Sequence, residues 1–145
     1  MKSLLLIFFC LFLAKLCSAQ SAVKNIDYQY YRDDKTYYAY EIYRNPTSTE
    51  NLLYLNFSIN KAFKKVEKVY LMQGNKEYRL KITANDKTAS SDNPEIRFYS
   101  LIINSSEFLN ANINCNTSIV FKLDASEIFS LPFNKCLITE SLAKN

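Results

Sequence analysis

The chain has 145 residues, 18 of them basic and 14 acidic, and it carries no histidine, no tryptophan and a single glycine. Without histidine there is no Ser-His-Asp triad, no Cys-His dyad and no imidazole metal site. One glycine excludes the P-loop and the dinucleotide fingerprint, since both need several glycines to bring the backbone close to phosphate, and no cofactor is implied.

Met1 and Lys2 give a short positive start, Leu4 to Ala14 is an apolar run of eleven residues, and Cys17-Ser18-Ala19 puts small residues where a signal peptidase cuts. Residues 1–19 are therefore expected to be a cleaved signal peptide that sends the rest to the periplasm or the extracellular space. The run falls short of the roughly 20 apolar residues that span a membrane, and Lys15 ends it. Cys17 offers a lipoprotein alternative, but Lys15 and Leu16 stand where that chemistry wants small residues. The expected mature chain keeps 126 of the 145 residues, enough for one core, with 16 basic against 14 acidic side chains. So even a balance gives no sign of a general nucleic-acid binder, and no later stretch is long and apolar enough to span a membrane.

Residues 20–36 are polar, with Asp27, Asp33 and Asp34 among tyrosines, and are read as an N-terminal arm in which Asp33-Asp34 is solvated. Tyr37 to Tyr43 alternates as a strand buried on one side and covered by tyrosine on the other, until Asn45-Pro46 breaks it. Leu52 to Ile59 is the clearest strand, with Leu53, Leu55, Phe57 and Ile59 sharing the core face. Val66 to Gln73 and Glu77 to Thr83 flank Gly74-Asn75, a pair suited to a two-residue type II′ hairpin turn. That register sets Val69 against Leu80 and Leu71 against Tyr78 on one face, and Lys68 against Lys81 and Tyr70 against Arg79 on the other.

A polar loop over residues 85–94 precedes a strand through Ile96 to Ile102, and Ser105 to Leu109 has the signals of a short helical turn. Ile113 to Leu123 and Ile128 to Phe133 form a second hairpin around a three-residue loop, and Leu137 to Leu142 fits either a helix or a last strand. The fifteen asparagines are expected to fill positive-φ turn positions in place of glycine. Residues 37–145 thus read as a single all-β domain, an antiparallel β-sandwich of immunoglobulin-like kind with about seven short strands; a small closed β-barrel is the alternative.

Cys115 and Cys136 remain after cleavage, and an even pair in an oxidising compartment reads as a disulfide. The register of the second hairpin sets Cys115 opposite Lys135, so the bridge needs either a bulge near Asn134 or a Cys136 that has already left the strand. Three glycosylation sequons, at Asn56, Asn104 and Asn116, are close to the number chance supplies, and Asn56 and Asn116 are read as outward-facing.

Eight of the eleven tyrosines lie between Tyr28 and Tyr54; a tyrosine-rich surface can bind glycans or proteins, and strand propensity is the favoured competing account. The charge distribution is more informative. Lys61 to Lys81 holds seven basic residues against Glu67 and Glu77, a local +5, while the rest of the mature chain is net negative. Like charges opposed on a strand pair do not help folding, so Lys68, Tyr70, Arg79 and Lys81 form a candidate anion-contact face; lysines guarding a sheet edge are the competing explanation. The expected function is a non-catalytic exported binding module for an acidic glycan, surface polymer or protein. A periplasmic inhibitor or immunity-type protein is the alternative, and a carboxylate-dependent hydrolase stands behind both because the acids show no pattern that selects two.

Overall fold

The computed structural model describes residues 23–44, 51–85 and 93–143, and the predicted leader lies outside them. Two antiparallel sheets pack face to face. The first has the order β1 (Lys24–Arg32), β2 (Tyr37–Arg44), β3 (Leu52–Ile59), β7 (Arg97–Asn104), β6 (Ile82–Ala84). The second has the order β5 (Lys76–Leu80), β4 (Val66–Gln73), β8 (Asn116–Leu123), β9 (Ile128–Asn134). From β2 onward these are the A-B-E-D and C′-C-F-G orders of an immunoglobulin-like sandwich, with β1 added beside the first strand. Four sheet edges stay open, so the closed barrel is set aside, and the described residues form nine strands where about seven were expected.

The core is built by the period-two faces of the central strands. Leu53, Leu55, Phe57 and Ile59 of β3 are fully buried, as are Val69 and Leu71 of β4 and Ile119, Phe121 and Leu123 of β8. Strands B and F of antibody domains carry the inter-sheet disulfide; here the corresponding β3 and β8 supply Phe57 and Phe121, stacked with centroids 4.3 Å apart. Such a pair adds about 1 kcal/mol to the burial of its rings.

The polar residues 24–32 are not an arm but the edge strand β1. Its alternation is not hydrophobic: Asp27, Gln29 and Tyr31 are matched with Ile42, Tyr40 and Tyr38 of β2, while Tyr28, Tyr30 and Arg32 lie on the other side. Asp33 closes the β1–β2 turn, accepting from the amides of Lys35 at 2.8 Å and Thr36 at 2.6 Å, and these bonds hold its carboxyl below the usual range. Asp33 is exposed, as expected, and its solvated carboxylate also orders the turn. Tyr40 explains the burial of Asp27. Its ring is buried between the sheets, and its hydroxyl donates between Asp27 Oδ2 at 2.7 Å and the Pro132 carbonyl of β9 at 2.8 Å. One phenol thus ties β1 and β2 to the edge of the opposite sheet. Burial first, then the Asp27 hydrogen bond, pushes its pKa far above that of a free phenol.

Gln73 pairs with Lys76 around Gly74-Asn75, with Gly74 at φ 57° and Asn75 at negative φ, the signs of a type II′ turn. In the second hairpin the Leu123 amide donates to Glu127 O at 3.0 Å across a three-residue loop. The positive φ there belongs to Ser126, and among the described residues no asparagine takes one, contrary to expectation. A serine in that position has its own hydroxyl close to the backbone and is tolerated in a tight loop.

Helix α1 (Ser105–Asn110) is capped by Asn104, whose side chain accepts from the Ser106 amide. After β9 ends at Asn134, the Lys135 amide donates to Cys115 O at 2.8 Å and Asn134 Oδ1 accepts from the Cys136 amide at 3.0 Å, opening helix α2 (Lys135–Ala143). Cys136 has therefore left the strand, and its Cα stands 5.0 Å from that of Cys115, to which it is disulfide-paired. No helix among the described residues is long and apolar enough to cross a membrane.

Two outcomes follow from this anchoring. Replacing Cys115 or Cys136 by serine should lower unfolding stability by about 2 to 4 kcal/mol in a denaturant titration, because the bridge closes the chain that spans the second hairpin. Tyr40→Phe should cost about 1 to 3 kcal/mol near neutral pH by stranding Asp27 and the Pro132 carbonyl. A raised phenol pKa in the folded state gives stability that is complete below about pH 10 and drains away as pH climbs past it, so the parent should lose stability faster than Tyr40→Phe above that pH.

Candidate anion-binding face

Residues Val69, Leu71, Tyr78 and Leu80 face the core across the β4–β5 hairpin, in the register expected, and Tyr70 stands opposite Arg79 on the outer side. One residue further the expected register stops. β5 ends at Leu80, whose side chain is buried, and β6 begins at Ile82, which pairs with Ile103 in the other sheet. The chain therefore changes sheets at Lys81, and the expected Lys68–Lys81 cross-strand pair does not form. The reason is the apolar pattern itself, because Leu80 and Ile82 are drawn into different sheets. Lys81 is left exposed at the crossing with its amide donating to Glu107 Oε2 at 3.1 Å.

A second irregularity shapes the same region. Strand β4 pairs with β8 as Val66 with Leu123 and Lys68 with Lys122, so Glu67 is an extra residue in a β-bulge. Without it Val66 would share the outer face with Lys68. The bulge returns Val66 to the core and leaves both Glu67 and Lys68 beside Lys122. Lys122 Nζ and Glu67 Oε2 are 3.9 Å apart and about one third exposed, a geometry worth little in stability.

Together these devices place Lys68, Arg79 and Lys81 around one open cleft of about 490 Å³, lined also by Glu67, Leu80 and Ile82. Two ion pairs occur among the described residues, Lys61 with Glu127 at 3.1 Å and Lys122 with Glu67, and neither engages those three cations. Three of the four sequence-chosen residues are thus brought together. Tyr70 is not available as a contact: it lies on the outer side but is 7% exposed, with Arg79 and Val120 as its cross-strand neighbours. Strand alternation gives the direction of a side chain and not the size of what covers it. Burial, and then the nearby Glu77, raises the Tyr70 pKa.

Glu67 figures in the sequence only as part of the local charge balance, and Lys122 lies outside that hairpin, joining the cluster only through the non-local pairing of β4 with β8. The apolar run Ile119, Phe121, Leu123 did place Lys122 on an outer face, and that was the available signal.

The tyrosines divide. Tyr38 and Tyr40 turn inward, Tyr43 stacks on Tyr54 at 5.2 Å, and Tyr28 and Tyr30 stand exposed on β1 with ring centroids 6.0 Å apart. The Tyr28 hydroxyl lies 3.4 Å from that of Tyr37, which with partial burial pushes its pKa up to about 12. Asn56, expected outward, does lie on the outer face of β3 but is buried, whereas Asn116 is exposed. No group of three or more Cys, Asp or Glu side chains that could hold a metal occurs among the described residues.

Comparison with known proteins finds no family model that matches the chain, and no characterised protein or solved structure that matches it.

Because Tyr70 is a floor and not a contact, Tyr70→Ala should destabilise the fold by about 2 kcal/mol, whereas Arg79→Ala beside it should change stability by less than about 0.5 kcal/mol. Paired denaturant titrations of the two variants check this.

Proposed function

We propose that this chain is an exported, non-catalytic β-sandwich module that holds an acidic partner at the cleft of Lys68, Arg79 and Lys81. The observation that carries the reading is the meeting of these three cations around one opening with no carboxylate among the described residues ion-paired to any of them. Like charges held together on a sheet cost stability, and an anionic partner would offset that cost. The leader pattern of residues 1–19 and the Cys115–Cys136 pair fit an oxidising destination outside the cytoplasm. An inhibitor or immunity-type role would use the same face on an acidic protein.

One observation favours the competing account. β5 is an edge strand, and Lys76, Arg79 and the adjoining Lys81 are what an edge carries to prevent pairing with another chain. Binding to immobilised polygalacturonate, dextran sulfate and polyglutamate, with neutral dextran as control, separates the two. Changing Lys68, Arg79 and Lys81 together to Gln should weaken binding to the anionic supports by about ten- to a hundredfold and flatten its salt dependence. Stability should stay level or rise. A triple variant that binds as the parent does, yet aggregates more, assigns the cations to edge protection and makes exposed Tyr28 and Tyr30 the next surface to examine.

A further inference from the structure

The cations do not converge on a point. Lys68 and Lys122 are directly opposed across β4 and β8, and Arg79 lies on β5 at the other side of β4. With Lys81 at the end of β5, positive charge crosses three neighbouring strands, which lie about 4.8 Å apart in a sheet. The unbroken register of β4 with β8 from Met72–Ser118 to Lys68–Lys122 makes Lys122 part of this row, and the bulge one residue beyond adds Glu67, which lines the cleft and reaches Lys122.

The chemistry of the row narrows the occupant. A small anion calls for several donors aimed at one atom, whereas here the four cations extend from β8 across β4 to the end of β5, and lysines, which act as point charges, are in the majority. Single-stranded nucleic acid calls for exposed aromatic rings among the cations, and the one ring in this row, Tyr70, is buried. A folded protein partner calls for a deep pocket to take an anchor side chain, and this cleft is open, with four charged residues among the six that line it. A chain with acidic groups repeated at intervals matches a row of cations at intervals.

Resting on the reading above, we propose that the partner is a linear acidic polysaccharide that runs across the strands over Arg79, Lys81, Lys68 and Lys122, and that Glu67 moderates its affinity. Among the described residues Glu67 is the one carboxylate lining the cleft. Its contact with Lys122 partly neutralises the row, so an occupant must compete with it.

The test measures polygalacturonate, its monomer galacturonate and polyglutamate in solution against the purified protein, by calorimetry at two salt concentrations. The polymer should bind about a hundredfold more tightly than the monomer, since one chain engages several cations at once. Lys122→Gln should weaken polymer binding about three- to fivefold and lower the salt slope by about one charge, while Glu67→Gln should tighten it by a similar factor. Lys24→Gln, on the edge strand of the other sheet, should leave it unchanged. A gain from Glu67→Gln is not what a merely structural ion pair would give. If the Lys68, Arg79, Lys81 triple variant loses binding while Lys122→Gln and Glu67→Gln match the parent, the row ends at β4 and this inference fails with the cationic cleft intact. Polymer binding no tighter than monomer binding, or weaker than polyglutamate binding, overturns the polysaccharide and again spares the cleft. A triple variant that binds polymer like the parent removes both.

Discussion

The region of Leu80 to Ile82 is where the architecture and the candidate site depend on the same constraint. Leu80 must enter the core from the second sheet and Ile82 from the first, and a single residue separates them, so the chain has to cross between sheets with no room for a loop. Lys81 occupies that one position. An apolar residue there would face solvent and a glycine would loosen the crossing; a long cation can carry its charge outward while its stem covers the neighbouring apolar surface. The cleft beside it is a by-product of the crossing, because β5 stops while β4 runs on beside β8. Lys68, which an uninterrupted hairpin would have matched with Lys81 as a neighbour, instead shares an opening with it.

The parts of this fold that were legible in the sequence are those fixed by local pattern. The odd face of residues 52–59 announced Leu53, Leu55, Phe57 and Ile59 as core, and Gly74-Asn75 fixed a register that holds from Gln73–Lys76 to Val69–Leu80. The second hairpin followed from alternation, and its register posed the question that Cys136 answers by lying in the first turn of α2. What was not legible has a different physical origin. Strand β1 buries a carboxylate, and its one aliphatic residue, Ile26, is only half-buried, so no hydrophobic period marks it; its place depends on Tyr40, a residue of another strand. β6 is three residues long, too short for periodicity to mean anything. For the site, Lys68, Arg79 and Lys81 were visible as a local excess of charge. Lys122 needed the pairing of distant strands, the bulge at Glu67 needed the competing demand of Val66 for the core, and the burial of Tyr70 needed the sizes of its neighbours.

Tyr40 and the Phe57–Phe121 stack hold the two sheets together in different ways, and the contrast bears on how rigid the cationic face is. The stacked rings contribute burial and dispersion at the centre, which are tolerant of small shifts. Tyr40 adds directional bonds from one sheet to the Pro132 carbonyl on the edge of the other, and these fix the sheets in relative position. On the far side of the second sheet Tyr70 plays a comparable part for the outer face, filling the space between Arg79 and Val120.

A cationic row on such a floor has consequences that a row on a loop would not. Lysines on flexible segments separate to relieve repulsion, at little cost. Lys68 and Lys122 are held across adjacent strands by the register of β4 and β8, so their repulsion is built into the folded state and cannot be relaxed by backbone movement. Glu67 lowers it, and does so from the bulge, the one position where the strand can present an additional outward side chain without breaking the core pattern. Edge protection alone would be served as well by lysines on β5. Lys68 stands where β4 has outrun β5 and an edge is open, but Lys122 lies on β8 between β4 and β9, where no edge needs guarding, and its placement is the strongest support for the proposal that the charge is directed at a partner.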